Sequence, residues 1–354
     1  MTDTATTRDG AEPPGADPSA PLLEVRDLHV EFRSRTGPPV HAVNGLSYAV
    51  DRGETLAILG ESGSGKSVSA QAVLGLLESP PARITGGEVR YRGLDLLGRR
   101  DRWLRRIRGR HVAMIFQDAL TALNPVIPVA DQIAEMYRVH ERTSRSRARA
   151  RAIELMERVR IPAAARRAGD YPHQFSGGMR QRVMIAMALA LRPDVLIADE
   201  PTTALDVTVQ AQIMRLLAET QRELDTALVL ITHDLGVVAD VADHIVVMYA
   251  GSVMERAPVT DLYTRPAHPY TAGLLAAVPR VDKAAAGRLT PISGVPPNLA
   301  AIPSGCPFHP RCPRARDRCA TETPELREVG PGRASACHYA EEVLTGEERG
   351  DGGQ

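Results

Sequence analysis

Leu56-Ala57-Ile58-Leu59-Gly60-Glu61-Ser62-Gly63-Ser64-Gly65-Lys66-Ser67 decides the fold of this 354-residue chain. The first four residues form a short apolar run between Gly53 and Gly60, the pattern of a strand buried on both faces of a parallel sheet. The next eight match G-x-x-x-x-G-K-[ST], and a helical pattern follows. Between strand and helix this motif reads as a phosphate-binding loop. Its glycines let main-chain N–H groups turn towards phosphates, and the helix N-terminus adds a favourable dipole. Gly60, Ser62, Gly63 and Gly65 shape the loop, Lys66 reaches the β- and γ-phosphates, and Ser67 holds Mg2+. Lys66 and Lys283 are the only lysines; arginine supplies every other long basic side chain, so a lysine kept here is itself a signal.

Outward from the loop, further buried strands are expected at Val195–Ala198 and, last in the chain, at Leu228–Ile231. Helices are expected at Met179–Leu191 and Val209–Leu224, giving the alternation of a doubly wound α/β core. Leu23–Val30 and Ala42–Val50 read as strands around a turn at Ser34–Pro39, and Asp131–Arg160 reads as mostly exposed helix. Lys plus Arg and Asp plus Glu both total 43, which excludes a global basic footprint. Aromatic residues are only 4%, so Leu, Val, Ile and Ala must fill the core. Nothing approaches the ~18 apolar residues of a membrane-spanning helix. The acidic, Pro-rich first 20 residues read as a disordered leader rather than a signal peptide. Beyond Arg256 prolines crowd the chain, and all four cysteines follow residue 305, so residues 263–340 read as a separate extension and 341–354 as a polar tail.

Val195-Leu196-Ile197-Ala198-Asp199-Glu200 is an apolar strand ending in two carboxylates. After a phosphate-binding loop, this is where Asp199 binds Mg2+ and Glu200 acts as general base on the attacking water. Ser176-Gly177-Gly178 precedes a helix and offers a hydroxyl and free N–H groups to an anion. With Gln117, Ala204-Leu205-Asp206 and Thr232-His233-Asp234, the set resembles the ATP-binding subunits of ABC transporters, over roughly residues 22 to 256. The resemblance implies an α/β P-loop NTPase fold: a RecA-like core, an antiparallel β subdomain and a helical subdomain at about 118–180, within a domain spanning 21–262. It further implies that ATP lies between two such domains packed head to tail. Lys66 and Ser67 of one would face Ser176, Gly177 and Gly178 of the other, with Asp206 at the junction. Gln117 would contact Mg2+, His233 would stabilise the γ-phosphate, and Phe32 would stack on adenine, with Tyr48 as the alternative or both in the core. Met179 stands where the family more often has Gln, and Ala119 and Ala122 where peptide-type members have Pro and Ser.

Ala267-His268-Pro269-Tyr270-Thr271 and Gly305-Cys306-Pro307-Phe308-His309-Pro310-Arg311-Cys312-Pro313 resemble the C-terminal region of oligopeptide and dipeptide importer ATPases. That branch also includes importers of nickel and other small solutes. Such a subunit implies a second, related ATPase as heterodimer partner, two permeases and an extracytoplasmic peptide-binding protein, with the chain peripheral on the cytoplasmic face of the membrane. The competing class is a soluble ABC ATPase acting on nucleic acid, for which the arginines around 99–110 and 142–151 would be the footprint. Their other reading is a solvated helical face or one near anionic lipid, and no nucleic-acid partner is expected. A metabolic P-loop kinase would lack the Ser-Gly-Gly signature and His233.

Cys306, Cys312, Cys319 and Cys337 are spaced C-x5-C-x6-C-x17-C, wider than the usual paired ligands of structural zinc. Their clustering favours a shared metal centre over four free thiols, with His309 or His338 as substitute ligands. The family resemblance implies a [4Fe–4S] cluster, with Zn2+ as the alternative.

Overall fold

The computed structural model of the protein describes residue 17 and residues 19–34, 37–203, 205–277 and 292–346. Most of the expected leader, Ala204, Lys283 and the tail beyond 346 lie outside the described residues. The strands in chain order are β1 (Leu23–Phe32), β2 (Val40–Val50), β3 (Thr55–Leu59), β4 (Ala82–Tyr91), β5 (Leu94–Asp95) and β6 (Val112–Ile115). They continue with β7 (Val195–Asp199), β8 (Ala227–Ile231), β9 (His244–Tyr249), β10 (Ser252–Pro258), β11 (Arg327–Gly330) and β12 (Arg333–Ser335).

An eight-stranded sheet in the order β11-β12-β10-β9-β3-β8-β7-β6 forms the core. Five adjacent strands, β9 to β6, are parallel, as the continuous apolar runs at 56–59, 195–198 and 228–231 predict. Every residue of β3, β7 and β8 is buried. A second, antiparallel sheet, β2-β1-β4-β5, covers the helix Lys66–Val73 that follows the phosphate-binding loop. Between β6 and β7 the chain builds the helices Val129–Glu141 and Arg145–Arg158, where one exposed helical stretch was expected. Arg142 in the left-handed conformation ends the first helix and makes room for the turn between them. Arginines here and just before β6 meet carboxylates: Arg149 reaches Asp131 and Arg158 reaches Glu223, while Arg105 and Arg108 reach Asp101.

Three further expectations change. Leu228–Ile231 is not the last buried strand, because β9 lies beside β3, pairing Ala57 with Ile245 and Ile58 with Val246. The Cys- and Pro-rich region is not a separate body either. Its β12 extends the main sheet through Glu255–Ser335 and Arg256–Ala334 pairing, and Phe308, Cys306 and Cys319 share a core cluster with Leu59, Tyr249 and Tyr270. A Pro-rich segment with few apolar residues cannot hold its own core, so it borrows that of its neighbour. Residues 341–345, expected in the polar tail, complete the helix Ala340–Thr345, where Glu341 and Glu342 pair with Arg327 and Arg316.

The junction contains one buried histidine. His268 is 1% exposed, and its Nδ1 accepts a hydrogen bond from the Tyr270 N–H (3.0 Å), capping the helix Pro269–Ala276. Burial pushes its pKa down to about 3, although a main-chain hydrogen bond to Ala336 opposes this.

Because the extension shares the sheet and the core, it should unfold with the rest of the chain in one transition. Phe308→Ala, at a position 1% exposed, should lower the unfolding free energy of the whole chain by about 3–5 kcal/mol. A separate low-temperature transition in calorimetry, with the main one unmoved, would contradict this. His268 generates a pH dependence of definite sign. Between pH 6.5 and 3 acid protonates this histidine only in the unfolded chain, so stability falls as pH falls, by about 2 kcal/mol at pH 5 relative to neutral pH. His268→Asn keeps a capping acceptor and should flatten that slope in denaturant titrations at pH 5 and 7.

Candidate functional site

The site forms where the carboxyl ends of β3, β7 and β8 meet, the usual place for ligands in open α/β sheets. The chain leaves β3 through Gly60–Gly65 and enters the helix Lys66–Val73. Two glycines in this loop are required by close approach. A Cβ on Gly60 would lie 2.2 Å from the Met248 carbonyl, and one on Gly65 would lie 2.1 Å from the Ala42 carbonyl. The loop therefore sits against β9 and β2, with Ser62 and Gly63 exposed at its tip. Ser64, which the sequence reading passed over, is buried, and its carbonyl accepts from the Gly251 N–H (3.1 Å).

Lys66 is 4% exposed, and its ammonium donates to the carbonyls of Gly60 (2.8 Å) and Glu61 (2.9 Å) and more distantly to Ser64 Oγ (3.4 Å). Burial lowers its pKa, and the carboxylates of Glu200, Asp199 and Glu61 oppose that loss of charge. Ser67 Oγ donates to Asp199 Oδ1 (2.9 Å), joining the loop to the end of β7. Asp199 is 2% exposed, so burial raises its pKa while the Ser67 hydrogen bond pulls the other way. A hydroxyl and a carboxylate side by side are the hard oxygen donors that suit Mg2+.

Glu200 follows with φ +45°, a left-handed turn that redirects the chain at the strand end, and its N–H donates to the Ile231 carbonyl of β8 (2.8 Å). Its carboxylate accepts from Gln117 Nε2 (3.0 Å) and Thr203 Oγ1 (2.8 Å), and His233 Nδ1 lies 3.6 Å away. Lys66, Ser67, Gln117, Asp199, Glu200 and His233 are thus brought together from four separate stretches of sequence. Thr203 belongs with them and carried no sequence signal of its own.

The remaining predicted residues are placed differently. Ser176 caps the helix Gly177–Leu189, accepting from the Met179 N–H (3.4 Å), and Gly177 and Gly178 face Leu205 and Val209 rather than the phosphate loop. Asp206 caps the helix Val207–Leu224, accepting from the Val209 N–H (3.0 Å). Tyr48 is buried in the core, and burial raises its phenol pKa. Phe32 is only partly buried at the end of β1, paired with Val40, two residues from the Ala42 carbonyl that touches Gly65. Of the two aromatics, Phe32 is the one with surface to offer. Ala119–Ala122 form a helical turn whose N-cap, Asp118, accepts from the Leu120 N–H (2.7 Å).

The four cysteines line one cavity of about 270 Å3 together with Phe308, His309 and His338. Burial pushes the Cys306 thiol up to about 11, the Cys312 thiol up to about 12 and the Cys337 thiol upward, and proximity of the thiols to each other adds to the effect. Among the described residues no group of three or more His, Cys, Asp or Glu stands in an arrangement that could hold a metal ion. Cys306 and Cys319 are buried and Cys312 and Cys337 partly so, and the four thiols share the cavity without forming a finished coordination cage. His309 Nδ1 lies against the Cys306 carbonyl (2.9 Å) and His338 Nε2 against the Glu322 carbonyl (3.0 Å).

Residues 43–203 match the family described as ABC transporter, and residues 254–319 match the oligopeptide/dipeptide transporter C-terminal region. The chain is 51% identical over 327 residues to the oligopeptide transport ATP-binding protein OppD of Salmonella typhimurium, covering 92% of this chain and 96% of that one. It is also 51% identical over 333 residues to OppD of Mycobacterium tuberculosis, covering 94% of this chain but only 54%, about half, of that relative's length. Among solved structures, the dimeric post-hydrolysis state of the ATP-binding cassette MJ0796, bound to ADP and Pi, superposes with a TM-score of 0.61. That structure is 28% identical, with 67% of this chain and 99% of the other covered.

Proposed function

The chain belongs to the ABC transporter family of ATP-binding proteins, in its oligopeptide/dipeptide branch, and on that premise we propose that it hydrolyses MgATP to power peptide import across the cytoplasmic membrane. The observation that carries the chemistry is the convergence of Lys66, Ser67, Asp199, Gln117, Glu200 and His233 at the carboxyl ends of β3, β7 and β8. Lys66 exchanges two carbonyl partners for the β- and γ-phosphate oxygens. Ser67 Oγ, the Asp199 carboxylate and Gln117 would hold Mg2+, which would neutralise charge on the phosphates when bound. Glu200 accepts the proton of the attacking water, and His233 steadies the γ-phosphate. Phe32 offers its exposed edge to the adenine.

Ser176, Gly177 and Gly178 serve a second nucleotide site across a head-to-tail pair. Their separation from the phosphate loop and their place at a helix N-terminus support this, as does the dimeric state of the MJ0796 structure. Asp206 stands at the same junction. The partner is a second, related ATPase, and the pair works beneath two permeases fed by an extracytoplasmic peptide-binding protein. No helix among the described residues is long and apolar enough to cross a membrane. The exposed Leu120, Val126 and Val139, on the segment between Gln117 and Ser176, support that segment as the permease-docking face on the cytoplasmic side.

The four cysteines are proposed to close on a metal centre, [4Fe–4S] ahead of Zn2+, because all four thiols face one cavity. Its role is to fasten the Pro-rich extension, not to pass electrons.

Glu200→Gln should bind MgATP and turn it over about 100-fold or more slowly, because the water loses its base while the phosphate cradle stays. Lys66→Ala should instead weaken binding. Wild-type turnover by Glu200→Gln in the assembled transporter would refute the role given to Glu200. Anaerobic purification with iron, sulfide and zinc analysis tests the metal: about four irons with sulfide, or one zinc per chain, is expected, and their absence would leave four free thiols.

A further inference from the structure

Glu61 puts a carboxylate at the head of a loop that has to receive a triphosphate. Its charge is felt at Lys66, where it helps to keep the ammonium protonated, and unneutralised it would repel the incoming phosphates. The structure provides the neutralising partner from 250 residues further along the chain. Arg311 Nη1 donates to Glu61 Oε2 (2.6 Å) and Nη2 to Oε1 (3.0 Å), a two-pronged pair in which the arginine side chain is 6% exposed and the glutamate 25%. The rest of the guanidinium is also committed: Nε donates to the Ser293 carbonyl (2.9 Å) and Nη1 to the Tyr249 hydroxyl (3.2 Å). The main chain of Glu61 is held from the same side, since its N–H donates to the Tyr270 hydroxyl (3.0 Å). The carbonyl of Glu61 is one of the two on which Lys66 rests. Residue 61 is therefore fixed through its side chain, its N–H and its carbonyl at once.

We propose that Arg311 of the C-terminal extension is a positioning residue for nucleotide binding, which neutralises Glu61 and holds the head of the phosphate loop in its receptive shape. The inference deepens the nucleotide-site reading above and rests on it. A guanidinium fork matches the planar carboxylate as a lysine ammonium would not. A purely structural staple would cost stability when cut, whereas a charge-compensating one also leaves a carboxylate beside the phosphates.

The test is isothermal titration of the full-length chain with MgATP, with thermal midpoints recorded on the same samples. Arg311→Ala should weaken MgATP binding roughly tenfold, and Arg311→Lys by about threefold, since the charge stays and the fork is lost. Adding Glu61→Gln to Arg311→Ala removes the stranded carboxylate and should return the affinity to within about threefold of wild type, whatever happens to the midpoint. Wild-type affinity in Arg311→Ala, or an Arg311→Ala, Glu61→Gln double variant that binds no better than Arg311→Ala alone, would overturn the assignment. If Arg311→Ala does not fold, the same comparison is made between Arg311→Gln, neutral and closer in size, with and without Glu61→Gln, and the same outcomes decide it. A wild-type chain that does not bind MgATP would overturn the nucleotide reading itself, and this assignment with it.

Discussion

The nearly buried ammonium of Lys66 is the constraint around which the site is built. A cation removed from water needs close partners, and this one has two carbonyls and the fields of three carboxylates. The dependence runs both ways. Asp199 is buried enough for its ionised form to be disfavoured, and Ser67 and Lys66 are the groups that sustain it. Neither charge would be tolerable without the other, so loop and strand end must be held within hydrogen-bonding distance before any ligand arrives. Such arrangements cost stability and are kept because they are ready to act.

Sheet topology meets this requirement. β3 lies between β8 and β9, and β7 lies on the far side of β8, so the phosphate loop, the Asp199–Glu200 pair and the segment carrying His233 leave the sheet at one edge. The left-handed turn at Glu200 and its hydrogen bond to Ile231 lock β7 to β8 just where both chains turn into loops. Gln117 enters the same edge from β6, beyond β7. Four elements far apart in sequence thus converge, and Gln117 spans the gap from β6 to Glu200 with its amide.

Local patterns made this half of the molecule legible. Continuous apolar runs marked β3, β7 and β8, and Lys66, Ser67, Asp199, Glu200 and His233 follow those runs closely, whereas Gln117 follows β6, which no such reading marked. Legibility ended where the signal was not local. β4, with its mixed burial, has no clean alternation, and only two residues separate β9 from β10. The cysteines could be seen to cluster in sequence, but whether their sulfur atoms form a coordination cage depends on side-chain directions that spacing does not encode. Thr203, Tyr270 and Arg311 were invisible as site residues because each acts through a contact that exists only after folding.

The distribution of aromatic residues explains why the extension could not stay a separate body. In a chain with four phenylalanines and eight tyrosines, Tyr249, Tyr270 and Phe308 gather at one point, with ring centroids 4.7–5.3 Å apart. Tyr249 ends β9, Tyr270 lies in the helix that follows His268, and Phe308 sits between Cys306 and Cys312, so the cluster ties the main sheet to the extension. Large rings supply most of the packing available to a segment this poor in apolar residues. Two of the three also carry a hydroxyl towards the phosphate loop, to the Glu61 N–H and to Arg311. The contact that gives the extension a core is therefore also the one that places it against the nucleotide site, and a disturbance of one is mechanically a disturbance of the other.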